Sequence, residues 1–140
     1  MIYLLVHMTH IFSVMIYGGF LFTDNLFLSK LSKEYSKEEY PKVRESFMKY
    51  VRVVVPKALI VAVISGAYLF SQAFGEISDS GLSSFQKVLL LKAFLGGWLG
   101  LRGVLQVFFG IQPLLFKSHK FPFLIVIVII VLSQIMFYVR

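Results

Sequence analysis

Four apolar runs, each long enough to cross a bilayer, restrict this 140-residue chain to very few folds. They cover roughly residues 2–27, 51–73, 85–109 and 121–139. About 20 apolar residues in helical conformation span a hydrocarbon core. Backbone crossing that core must satisfy its own hydrogen bonds, which leaves helices or closed barrels. Runs of this length, without the short alternating segments of a barrel, select helices. The expected fold is an all-α membrane protein, a four-helix bundle forming one integral membrane domain over residues 1–140. Its helices should run over about 2–27, 42–73, 85–109 and 121–139. The first run starts at residue 1 with no basic n-region and no evident small-residue cleavage site, so it is expected to be a retained span.

Charge placement gives the topology. A net charge of +7 in a chain with 58% hydrophobic residues resembles a nucleic-acid signal only until positions are read. Lys30, Lys33, Lys37, Lys42, Arg44, Lys49 and Arg52 lie between the first and second spans, with Lys57 just beyond, and Lys117 and Lys120 lie between the third and fourth. The loop GEISDSGLSS, residues 75–84, has no cation, only Glu76 and Asp79. Cytoplasmic loops carry the excess of Lys and Arg. The two basic loops are therefore expected in the cytoplasm and both termini outside it, as in a bacterial inner-membrane protein, with no nucleic-acid partner. The segment between the first two spans reads as a basic amphipathic piece. Ser36-Lys-Glu-Glu39 resembles a capping box with Pro41 in the first helical turn. Glu38–Lys42 and Glu45–Lys49 are i,i+4 pairs, and Pro56 is a candidate bend.

With no cysteine in the chain, disulfides, iron–sulfur clusters and thiolate-ligated haem or zinc are excluded within it. The remaining ligand types are His7, His10, His119, five methionines and a few carboxylates. An ionisable side chain inside a span is costly, and a functional role is the default reading. Counting about 1.5 Å per residue places His10 about 12 Å below the outer surface. Lys92, Ser65-Gly66 and Ser133-Gln134 reach the same depth on the other three helices. His10, Tyr17 and Asp24 are spaced by seven and share one face, while Gly96, Gly100 and Gly103 form a small-residue face on the third span. Asp24 and Arg102 meet in a second layer near the cytoplasmic side and are expected to pair.

Each residue also has a plainer reading. His10 could be a packing histidine bonded to a carbonyl, His7 lies near the interface, His119 falls in a basic turn, and Lys87 can snorkel. The glycines could serve only close packing, and Met1, Met8 and Met15 could simply meet lipid. Lys92 resists such a reading, since no carboxylate occurs at its depth and a buried ammonium needs a partner. An imidazole facing a cation in an apolar bundle with small residues suits a flat anionic cofactor such as haem b. A quinone or a copper ion would also use a histidine at this depth.

The run HIFSVMIYGGFLFTDNLFL, starting at His10, resembles the first helix of the HemJ-type protoporphyrinogen IX oxidases, four-helix membrane haem proteins. KYVRVVVPKALIVAVISGAYLF, with Pro56 and Gly66, is similar to that family's second helix, and VLLLKAFLGGWLGLRG to its lysine-bearing third. The fourth span matches only in being apolar. Tyr17 stands where the family is expected to carry tryptophan, Asp24-Asn25 where it tends to have proline and arginine, and Arg102 where it often has histidine. The wider group includes the CopD-type copper membrane domains, which share the helix style.

The resemblance implies His10 as haem ligand and Lys92 as a functional lysine, with oxidation of a porphyrinogen and electron transfer to quinone or a respiratory partner. The expected site comprises His10 and Lys92 as catalytic groups. Tyr17, Ser65, Gly66, Gly96 and Gln134 join them around the cofactor, and a homodimer would help enclose it. Two alternatives stand beside it. One is a copper-handling protein using His7, Met8, His10 and Met15. The other is a structural or assembly subunit of a membrane complex, with no catalysis.

Overall fold

A computed structural model describes residues 1–108 and 120–139, the side chains of 106–108 excepted. The expected turn with Pro113, Lys117 and His119, and the side chain of Gln106, lie outside the described residues. Helix α1 covers Ile2–Thr23 and passes through a π-helical turn, Asp24–Leu28, into the short α2, Ser29–Leu31. Then follow α3 (Glu39–Ala73), α4 (Ser84–Phe108) and α5 (Lys120–Tyr138). All four long segments are long and apolar enough to cross a membrane. Contacts run α1–α3, α3–α4, α4–α5 and α5–α1, closing a ring of four helices.

The core is narrow. Tyr17 and Leu21 from α1, Leu59 from α3, Leu99 from α4, and Ile125 and Val126 from α5 meet at its centre. Edge-to-face ring pairs extend it, Phe22 on Phe123 at 4.8 Å and Trp98 on Phe121 at 5.4 Å. Outside this seam large apolar side chains face outward, such as Phe94, Ile64 and Met15. Such a surface would be untenable in water and is ordinary against lipid tails.

Several boundaries depart from expectation. The first helix does not stop near Asp24-Asn25. The chain instead inserts a π-turn there, Asn25 donates from Nδ2 to the Leu21 carbonyl at 2.8 Å, and helical structure continues to Leu31. Helix α3 begins at Glu39, with the Glu39 N–H donating to Ser36 Oγ at 3.1 Å, so one arm of the expected capping box forms. It runs unbroken through Pro56 for 35 residues. At about 1.5 Å per residue this is about 52 Å, well beyond a hydrocarbon core of about 30 Å. Among the described residues neither expected i,i+4 pair forms. Arg52 instead grips Glu45 with both guanidinium nitrogens, at 2.6 and 3.0 Å. The fork matches a carboxylate in a way that an ammonium does not, and Lys49 lies 5.8 Å from the Tyr50 ring.

The loop after α3 is fastened by Gln86. Its N–H donates to Ser83 Oγ at 3.1 Å and its Oε1 accepts from the Ser83 N–H at 2.9 Å, a reciprocal capping box at the start of α4. Gln86 Nε2 also donates to the Phe74 and Glu76 carbonyls, both at 2.9 Å, tying the end of α3 to the start of α4.

Candidate functional site

His10 faces inward from α1 and meets α3. Its Nδ1 lies 2.9 Å from the Ala62 carbonyl and 3.0 Å from Ser65 Oγ. A carbonyl only accepts, so in the neutral ring the proton resides on Nδ1. Ser65 can receive a share of it because its own hydroxyl donates to the Val61 carbonyl at 2.6 Å. The Nε2 lone pair is thereby left as the ring's free acceptor, which is the arrangement that presents a histidine to a metal. On the ring's flank, a Cβ placed on Gly66 would lie 3.0 Å from His10 Cε1. The glycine is what lets α3 accommodate the imidazole.

Lys92, on α4, is half-buried and close enough for its charge to act on His10. Neither a carboxylate nor a hydrogen-bond acceptor partners it among the described residues. The glycines of α4 then divide into two kinds. A Cβ on Gly103 would overlap Leu59 of α3, and one on Gly100 would overlap Val63. A Cβ on Gly96, on the same face one turn nearer Lys92, would meet nothing within 4 Å. Helices α3 and α4 thus touch closely at Gly100 and Gly103 and part at Gly96. The gap lies at the end of the bundle where Lys92, Gly66 and His10 are found.

The other expected site residues are placed unequally. Tyr17 is buried on the His10 face, but two turns away, where its hydroxyl interacts with Arg102. It belongs to the second polar layer and not to the His10 site. Gln134 is exposed, which corrects its expected place in the inner layer. Helix α5 packs through Pro122, Ile125 and Val126, and nine residues beyond Ile125 is half a turn around the helix at about 100° per residue. Ser133 remains near the packed side, but its hydroxyl donates to its own helix at Ile129, 2.8 Å away.

The second layer has a partner that sequence reasoning overlooked. Asp24, 6% exposed, receives Arg44 Nη1 at 2.5 Å from the first turns of α3. One turn earlier the Tyr40 hydroxyl donates to the Leu28 carbonyl at 2.9 Å. The i,i+4 spacing of Tyr40 and Arg44 on α3 against that of Leu28 and Asp24 was the available signal. Charge counting had assigned Arg44 to topology alone.

The potential copper ligands do not converge. His7, Met8 and Met15 are exposed while His10 points inward, and the His7 ring lies tilted against Tyr3 with centroids 6.0 Å apart. Among the described residues no group of three His, Cys, Asp or Glu side chains is positioned to hold a metal ion. No protein-family model matches the chain, and no match is found among curated proteins or solved structures.

Proposed function

We propose that this chain is a membrane haem b protein of the kind the HemJ-type oxidases represent, with His10 as iron ligand and Lys92 as counter-charge. The observation that carries the reading is the state of His10. Its Nδ1–H is held by the Ala62 carbonyl, and its Nε2 is free near Lys92, a cation with no partner among the described residues. The donor set fits the group. Neutral imidazole ligates iron, the Lys92 ammonium suits a propionate or a substrate carboxylate, and Gly96 has open space beside it at the same end of the bundle. Haem bound there would supply one-electron chemistry between a porphyrinogen and a quinone or respiratory partner. The chain's own residues fix the imidazole's tautomer through Ala62 and Ser65 and neutralise an anionic edge through Lys92.

The distribution of lysine and arginine supports an orientation with both termini outside the cytoplasm and the basic segment before α3 at the inner face of a bacterial inner membrane. A second copy packed against the open flank would complete the enclosure of a macrocycle. Nothing in the geometry favours copper, because its candidate ligands diverge.

The test is the absorption spectrum of detergent-purified protein. The reading expects a Soret band that is lost in His10→Ala and weakened in Lys92→Met. A well-folded, colourless protein that takes up no haem on titration would overturn it. Complementation of a strain lacking protoporphyrinogen oxidase tests the activity. Failure with haem bound would leave a haem-binding or assembly role.

A further inference from the structure

Further along the α1–α3 contact, toward the basic end, a groove of about 320 Å³ is lined by Ser13, Ile16, Val54, Lys57 and Val61 among others. Its walls are aliphatic. Its polar groups are the Lys57 ammonium, which is exposed, and the Ser13 hydroxyl, whose residue is only 6% exposed. Thr9, Ser46, Ser65 and Ser133 each bond a carbonyl of their own helix. Ser13 forms no such bond among the described residues, so its hydroxyl is available to whatever occupies the groove.

We infer that the groove binds one anionic phospholipid, with an acyl chain along the aliphatic wall, the phosphate on Lys57 and an ester carbonyl available to Ser13. Three features favour this occupant. The groove opens toward the surface that lipid tails cover, so what enters is dissolved in the membrane. Lys57 lies 16 residues before the end of α3 at Ala73, about 24 Å into a hydrocarbon core of about 30 Å. Its four-carbon stem can therefore deliver the charge to head-group level at the basic end of the bundle. Finally, the nearest arginine on α3, Arg52, is already engaged by both oxygens of Glu45, which leaves Lys57 as the cation for a phosphate.

The inference is independent of haem binding and is tested without it. Full-length protein in detergent is titrated with phosphatidylglycerol and with phosphatidylcholine of identical acyl chains, and bound lipid is counted by native mass spectrometry. One phosphatidylglycerol should bind about fivefold more tightly than phosphatidylcholine, the effect of one lysine near a membrane surface. Lys57→Gln should erase the preference, while Lys57→Arg and Lys49→Gln keep it. Val54→Trp, which fills the groove from an exposed position, should weaken both lipids alike. Equal affinities in the unmodified protein, or a preference that survives Lys57→Gln, would overturn the assignment.

Discussion

Replacing Gly66 by alanine puts one methyl group against the ring of His10, and its effect can be worked out from two opposing terms. A helical glycine-to-alanine change gains about 1 kcal/mol from backbone entropy and helix propensity. Against this, the new Cβ would lie 3.0 Å from His10 Cε1, short of the 3.4 Å at which ordinary contact begins. The ring must withdraw by a few tenths of an ångström, which stretches a 2.9 Å bond to the Ala62 carbonyl. Overpacking of this kind costs about 1–3 kcal/mol. Gly19→Ala is the internal control, since its Cβ would meet nothing within 4 Å. The expected outcome is that Gly66→Ala is about 1–3 kcal/mol less stable than Gly19→Ala. Unfolding by SDS titration in mixed micelles measures the difference. Adding His10→Ala removes the obstructing ring, so the double variant should recover about 1 kcal/mol relative to additivity. Equal stabilisation by the two alanines, or strict additivity with His10→Ala, would refute the contact on which the site is built.

Three further substitutions separate structure from function. Lys92→Met removes a half-buried cation with no partner among the described residues, so it should raise the SDS midpoint or leave it unchanged while reducing haem retained through purification. Asp24→Asn breaks the pair with Arg44; Asp24 is buried but the Arg44 side chain is 32% exposed. The cost in SDS titration should therefore be about 2 kcal/mol, between surface and buried pairs. Gln86→Ala loses a cap and two carbonyl bonds at the α3–α4 loop, and should speed amide exchange at Ser83 with a cost of about 1–2 kcal/mol.

Length and apolarity were enough to read four spans, because the hydrocarbon core penalises any other backbone. The seven-residue spacing of His10, Tyr17 and Asp24 gave their common inward face, and depth counting brought His10 to Ser65 and Gly66. Depth says nothing about rotation, and so Gln134 was misplaced: nine residues beyond Ile125 it lies on the far side of α5. Pairing was harder still. Level alone offered Asp24 only Arg102, and it did not show that Arg44 also reaches Asp24, from a stretch that composition marks as water-exposed loop. The uniform small-residue face of α4 also concealed a division, since only the path of α3 decides which glycine is packed and which borders a gap.

The π-turn at Asp24–Leu28 gives α1 an unusual tolerance. A turn of this kind carries one residue more than the helix on either side requires. The surplus is absorbed locally, so His10 above and Leu28 below each keep their own alignment with α3. Loss of the outward-facing Leu26 would return the segment to ordinary helix and leave both docking faces where they are. Loss of Phe12, in the regular part, would turn His10 by about 100° relative to the rest of α1. Along this helix, length can therefore change during descent at its basic end without moving the imidazole, and almost nowhere else.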